Sequence, residues 1–139
     1  MPLWIIYGML SAIFAALVAI FGKIGLKNID STLATTIRAV VMAVFLLLAS
    51  LSLQKFSHWS ELDAKIMWFI VLSGVAGALS WLFYFIALKN GPAAGVVALD
   101  RTSVIFVIIL AAIFLSEALT WKSALGGLMI AAGAILIAL

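Results

Sequence analysis

Long apolar runs separated by short polar connections dominate the pattern of this chain. Five runs are long enough to cross the hydrocarbon core of a bilayer as helices, which takes about 20 mostly apolar residues. We predict transmembrane helices at about 3–22, 31–53, 66–88, 93–116 and 123–139. Continuous runs of this length exclude barrel strands, which would alternate over about 10 residues. The pattern therefore predicts an all-α integral membrane protein, a five-transmembrane-helix bundle.

The connections between the runs are short, and only residues 54–65 form a markedly polar loop. Gly91 and Pro92 mark a tight turn between the third and fourth runs, because both residue types break helices. The first run lacks a basic leader and a convincing cleavage site, so we interpret it as a retained helix. We expect one compact domain over residues 1–139, embedded as a multi-pass protein in a cell membrane, either plasma or inner.

The composition excludes several classes of function. The chain is 68% hydrophobic and 9% charged, which is incompatible with a soluble enzyme of this size. The absence of cysteine and the single histidine argue against a metal site, and no motif for a cofactor is present. The net charge of +3 comes from cations scattered at the ends of apolar runs, so it predicts helix anchors and not nucleic-acid binding. The lipid bilayer is the expected environment.

The loop charges give almost no preference for one orientation. Side A is the face of the N-terminus, and side B carries the connections after runs one and three. Three lysines lie in the connections of each side: Lys55, Lys65 and Lys122 on side A, and Lys23, Lys27 and Lys89 on side B. Two interpretations follow from the positive-inside rule. Either one orientation dominates for other reasons, or copies insert both ways and pair as an inverted dimer.

Three charged residues lie inside apolar runs. Arg38 is in the second run, and Asp100 and Arg101 are in the fourth. Arg38 and Asp100 are each seven residues into helices that start on side B, so both lie about 10 Å below that face. An ion pair between them is therefore geometrically feasible. Arg101 is rotated by about 100° from Asp100 and points to a different neighbour.

Two interpretations of these charges stay open. One is an ion pair that fixes helix register, with Arg101 reaching toward side-B headgroups. The other is a polar cavity near side B that binds a solute or a proton, since a charge in hydrocarbon usually lines a cavity or pairs with a partner. Trp81 and Tyr84, three residues apart in the third run, are either packing residues or the wall of that pocket.

Glycines in the third and fifth runs permit close approach of helices. Gly74 and Gly77 lie in the third run, and Gly126, Gly127 and Gly133 lie in the fifth. We expect tight packing within one bundle, with a dimer seam on the fifth helix as the alternative.

Two stretches resemble the repeat of the EamA-type drug/metabolite transporters. GVAGALSWLFYFIALK at 74–89 is similar to the third helix of that repeat. Residues 96–137 look like its fourth and fifth helices, joined by an acidic turn in which Ser116 replaces the usual glycine. Arg38 falls where the second helix of the family commonly carries an arginine.

The resemblance implies a single five-helix repeat that pairs into a dimer of ten helices. It implies a secondary transporter or exporter of small organic solutes that works by alternating access, with Arg38, Trp81, Tyr84, Asp100 and Arg101 as the candidate substrate-binding residues. Its expected partners are a small-molecule solute and a second copy of the chain. Two alternatives remain: a non-transporting membrane subunit that assembles with a partner, and a flippase of lipid-linked head groups.

Overall fold

A computed structural model describes residues 2–139, and its regular structure in that range is helical. The predicted domain 1–139 extends one residue beyond the described part, at Met1. Residues 2–139 form six α-helices: α1 Leu3–Gly25, α2 Ser31–Ser52, α3 Ala64–Asn90, α4 Ala93–Asp100, α5 Ser103–Phe114 and α6 Trp121–Ala138. Together they give five segments long and apolar enough to span a membrane, with α4 and α5 forming one span, so the predicted number of spans is confirmed.

Side-chain caps set the first residues of two spans. The Asp30 carboxylate accepts hydrogen bonds from the backbone N–H groups of Thr32 and Leu33, and α2 begins at the predicted residue. Thr120 and Ser123 exchange side-chain-to-backbone hydrogen bonds in a capping box. This box starts α6 at Trp121, two residues before the predicted start.

The polar connection after α2 contains short regular structure that the sequence pattern did not predict. Gln54, two residues after the end of α2, has a positive φ of 54°, and Lys55–Glu61 then form a 3₁₀ helix. A second short 3₁₀ helix, Leu26–Asn28, extends the first span. The sequence pattern missed both because 3₁₀ turns have no strong periodic signature in so few residues.

The fourth span is interrupted, which corrects the prediction of one continuous helix at 93–116. The Thr102 hydroxyl donates to the carbonyl of Leu99 at 2.6 Å, and the Thr102 N–H bonds to the same oxygen at 3.0 Å. The N–H groups of Val104 and Ile105 also bond three residues back. The backbone therefore tightens into a 3₁₀-type turn at Arg101 and Thr102, because a threonine hydroxyl competes for helix carbonyls.

The end of the fourth span also differs from the prediction. Helix α5 ends at Phe114 instead of residue 116, and Ser116 has a φ of 55°, in the left-handed region. The N–H groups of Leu115 and Glu117 both bond to the carbonyl of Ala111. Helix ends with this hydrogen-bonding pattern usually carry glycine at the left-handed position.

Two compact units make up the chain, and each is described by itself. The terminal unit comprises residues 2–24 and 90–139, and the central unit comprises Gly25–Lys89. In the terminal unit, α4 and α5 both pack on α6. A Cβ at Gly127 would lie 3.1 Å from Ile108 Cδ1, so close helix approach is confirmed there. It is not found at Gly126 or Gly133, where a Cβ would meet nothing within 4 Å.

Most large apolar side chains of the spans are exposed. Only six hydrophobic side chains within 2–139 are buried: Ala19, Leu26, Phe85, Leu88, Val96 and Ala134. A water-soluble protein buries its large aliphatic and aromatic side chains, whereas here they form the outer surface. This distribution fits a protein whose surroundings are the acyl chains of a bilayer.

Replacing Ser116 with glycine should stabilise the protein. A left-handed backbone costs a residue with a Cβ about 1 kcal/mol, and glycine adopts it without that penalty. We expect Ser116→Gly to raise the free energy of unfolding by about 1 kcal/mol, measured by detergent-titrated unfolding in mixed micelles. Ser116→Ala is the control, because it removes the hydroxyl and keeps the Cβ. Equal stability of the two variants would contradict the explanation.

Candidate functional site

A cleft of about 860 Å³ lies between α2 and α3, within the central unit. One helical face of α2 and one of α3 form its walls. The residues on the α2 side are Thr32, Thr35, Thr36, Arg38, Ala39, Met42, Ala43 and Leu46. Those on the α3 side are Gly74, Val75, Gly77, Ala78, Leu79, Trp81 and Leu82. The volume is within the range of pockets that hold small organic ligands.

Small residues of α3 keep this cleft open. The backbones of α2 and α3 hardly approach each other along their length. A Cβ built on Gly74 or Gly77 would meet nothing within 4 Å. The prediction that these two glycines allow tight helix packing is therefore wrong, since their missing side chains leave open space in the cleft.

Arg38 is the only charged residue among the described residues that line the cleft. Its guanidinium carbon lies 3.5 Å from the centroid of the Trp81 ring and 5.4 Å from that of Phe85. The short distance to Trp81 is that of a cation lying against an aromatic face. Such contacts gain strength when both groups are shielded from water. Two of the predicted site residues, Arg38 and Trp81, are thus brought together.

An aromatic cluster on α3 holds the Trp81 ring in place. Trp81 lies edge-on to Tyr84, with ring centroids 5.6 Å apart. Phe85 lies 6.1 Å from Trp81 and 5.9 Å from Tyr84, and it is buried. Edge-to-face and tilted arrangements at these distances are favourable. Tyr84 is not among the residues that line the cleft, and it contacts Trp81, the ring on which Arg38 rests.

Three threonines of the cleft were not singled out from the sequence. Thr32, Thr35 and Thr36 line the same face of α2. The hydroxyls of Thr35 and Thr36 donate to the carbonyls of Ser31 and Thr32, four residues back, at 2.7 and 2.9 Å. Their oxygens therefore remain acceptors inside the cleft. Their spacing ahead of Arg38, with Thr35 three residues before it, was a signal that was available in the sequence.

A lysine ties the walls of the cleft together at one end. Lys89 Nζ, at the end of α3, donates to the carbonyl of Ile29, just before α2, at 2.9 Å. Its charge also acts on Asp30, the cap of α2. The hydrogen bond from the N–H of Leu33, together with that from Thr32 and the charge of Lys89, lowers the pKa of the Asp30 carboxyl. The cap therefore stays ionised at neutral pH.

Arg38 lies well below this tied end. Its Cα is seven residues beyond Ser31, about 10 Å along α2, and Trp81 is nine residues before Asn90, about 14 Å along α3. Helical side chains lean toward the N-terminus of their helix, which for α2 is the tied end. The guanidinium nevertheless lies against Trp81, at the level of that ring.

Asp100 and Arg101 belong to the terminal unit. Both side chains are exposed, and they lie where the fourth span is interrupted, at the end of α4. The ion pair between Arg38 and Asp100 stays a prediction. The proposed role of Asp100 and Arg101 as solute-binding residues also stays a prediction. Among residues 2–139, no three His, Asp or Glu side chains gather in a way that can hold a metal ion.

Comparison with known proteins gives a family match over nearly the whole chain. The EamA-like transporter family matches residues 2–139. The chain is also 42% identical over 135 residues to an uncharacterized transporter in the cobO 3' region of a Sinorhizobium species, covering 97% of this chain and 96% of the relative. No solved structure gives a significant match.

Proposed function

Because the chain belongs to the EamA-like transporter family, we propose that this membrane protein is a secondary transporter or exporter of small organic solutes. Members of the family are transporters and not enzymes, which fits the exclusion of an enzyme from composition. The α2–α3 cleft is the proposed solute site. The cell membrane, plasma or inner, is the proposed location.

The observation that carries this proposal is a cation held inside a cleft of ligand size. A charge within an apolar span is costly and usually marks a solute or ion path. Arg38 is placed in such a span, beside about 860 Å³ of open volume, and it rests on an aromatic ring. A purely structural arginine does not need the open volume that Gly74 and Gly77 leave.

Alternating access by a dimer is the proposed mechanism. Transporters are commonly built from inverted repeats around a site near the midplane of the membrane. A chain with five spans and equal numbers of lysines in the connections of its two sides is suited to pair with an inverted copy of itself. The interruption of the fourth span at Arg101 and Thr102 adds a place where such a bundle can bend, because 3₁₀ segments in long helices often mark hinges.

Filling the cleft should stop transport without unfolding the protein. We expect Gly77→Leu to reduce solute flux toward the protein-free rate, because the new side chain enters open space in the cleft. The assay is release of a mixture of amino acids, carboxylates, amines and sugars from loaded proteoliposomes, followed by mass spectrometry. Gly8→Leu in α1 is the matched control, since a Cβ there also meets nothing within 4 Å.

Asp100→Asn and Arg38→Ala are tested in the same release assay. Unchanged transport kinetics in both variants would show that these two side chains take no part in transport. Two results together would favour a non-transporting subunit instead of a transporter: solute release by the wild-type protein no faster than from protein-free vesicles, and copurification of a stoichiometric partner protein. Wild-type flux in Gly77→Leu would place the solute outside the α2–α3 cleft.

Both membrane orientations should be found if the dimer is inverted. Tags at the two ends, which lie on opposite sides after five spans, report orientation by their access to an impermeant label in sealed cells. We expect each tag to be labelled in a comparable fraction of copies, because the loop charges are balanced. Labelling of one end only would rule out inverted pairing and would leave the transport proposal standing.

A further inference from the structure

We infer that the solute of the α2–α3 cleft is an amphipathic organic anion, whose carboxylate binds Arg38 and whose apolar body fills the cleft. This inference rests on the proposed function, because it names the solute class for the same site. Three observations support this inference: the positive charge of the cleft, the hydrogen-bond donors of Arg38 that no described residue accepts from, and the position of the guanidinium against Trp81.

The stacking of Arg38 leaves its hydrogen-bonding edge unused. Contact with the face of Trp81 at 3.5 Å occupies one face of the planar guanidinium. The N–H donors point outward in the plane of the group, where they match the two oxygens of a carboxylate. Within Gly25–Lys89, no described residue accepts a hydrogen bond from Arg38, and the only rings recorded against its guanidinium are those of Trp81 and Phe85.

The remaining lining gives no site for a cation. No Asp or Glu lies among the residues that line the cleft, so its formal charge is +1. An incoming carboxylate neutralises Arg38, whereas an incoming ammonium is repelled by it, and both effects are stronger away from water. The hydroxyl protons of Thr35 and Thr36 are already donated to backbone carbonyls, so Arg38 supplies the charged donors to an anion.

The body of the solute is expected to be apolar. Beyond Arg38 and the threonines, the cleft is lined by aliphatic residues, Trp81 and the small residues of α3, such as Gly77 and Ala78. Apolar pockets with a few placed polar groups bind ligands of matching amphipathic character. A carboxylate attached to an aromatic or aliphatic group has this character.

The depth of Arg38 argues against a lipid phosphate as the anion. Phospholipid phosphates lie at the membrane surface, while the guanidinium rests at the level of Trp81, about 14 Å along α3 from its side-B end. A long arginine that served a headgroup would extend toward the surface, as arginines near helix ends do. Here the guanidinium instead lies against Trp81, a residue in the interior of α3.

Two probes of opposite charge test the inference. Phenylacetate and 2-phenylethylammonium share a ring and a short chain, so their binding differs through the charged group. We expect isothermal titration calorimetry in nanodiscs of phosphatidylcholine to show tighter binding of phenylacetate. Arg38→Gln should weaken that binding by about ten- to hundredfold, the range that corresponds to one lost charge-assisted interaction. Lys122→Gln, which removes a cation outside the cleft, is the control and should leave it unchanged.

Arg38→Lys separates the shape of the guanidinium from its charge. Lysine keeps the charge but lacks the planar fork, so binding should be weakened to an intermediate degree. Equal or tighter binding of 2-phenylethylammonium, binding of neither probe, or unchanged phenylacetate binding in Arg38→Gln would overturn the inference. So would loss of phenylacetate binding on addition of phosphatidylglycerol at high salt, where the general repulsion between the anionic surface and the anion is screened, because a lipid headgroup would then occupy Arg38.

The outcomes distinguish this inference from the proposed function. Release of amines but not carboxylates from proteoliposomes would sustain transport and overturn the anion. Binding of phenylacetate through Arg38 with no release of any solute would sustain the anion site and overturn transport.

Discussion

The contact of Arg38 with Trp81 is the interaction on which the rest of the site depends. A permanent cation inside an apolar span is unfavourable by at least about 2.5 kcal/mol on insertion scales. Stacking on a tryptophan face offsets part of this, by about 2 kcal/mol where water is excluded. The further interaction that we propose is a solute carboxylate bound to the outer edge of the guanidinium, which would make Arg38 a binding group.

The position of Arg38 follows from features at the start of α2. Asp30 caps the helix and therefore sets how many residues, and how many ångströms, separate Arg38 from the tied end. Lys89 bonds to the carbonyl of Ile29 and joins that end to α3. From there the two helices separate, and glycines of α3 leave the volume between them open. The depth of the charge is thus set by Asp30 and Lys89, which do not line the cleft, and the open volume of the cleft is set by glycines that do.

The spans were predictable because hydrophobicity over about 20 residues is a property of composition, and α2 begins at the predicted residue, directly after Asp30. The candidate site was only partly predictable. Arg38 and Trp81 stand out as a charge and a large aromatic inside spans, but their contact depends on how α2 and α3 are rotated, which residue spacing does not fix. The break at Thr102 left no mark on the hydrophobic pattern, because one hydroxyl bond decides it. Gly77 was misinterpreted since an open cleft and a tight contact both require a small residue.

The central claim is that the Arg38 guanidinium rests on the Trp81 ring inside the span, with its donors available. Solid-state nuclear magnetic resonance of the arginine side-chain ¹H and ¹⁵N nuclei in lipid bilayers measures this most directly. An assigned Arg38 signal should be shifted upfield by the ring current of Trp81. The shift should fall in Trp81→Leu to the smaller contribution of Phe85, 5.4 Å away, and persist in Trp68→Leu on the same helix. Addition of phenylacetate should move the side-chain N–H signals downfield. An Arg38 signal at the position of a hydrated arginine, indifferent to Trp81→Leu, would contradict the claim.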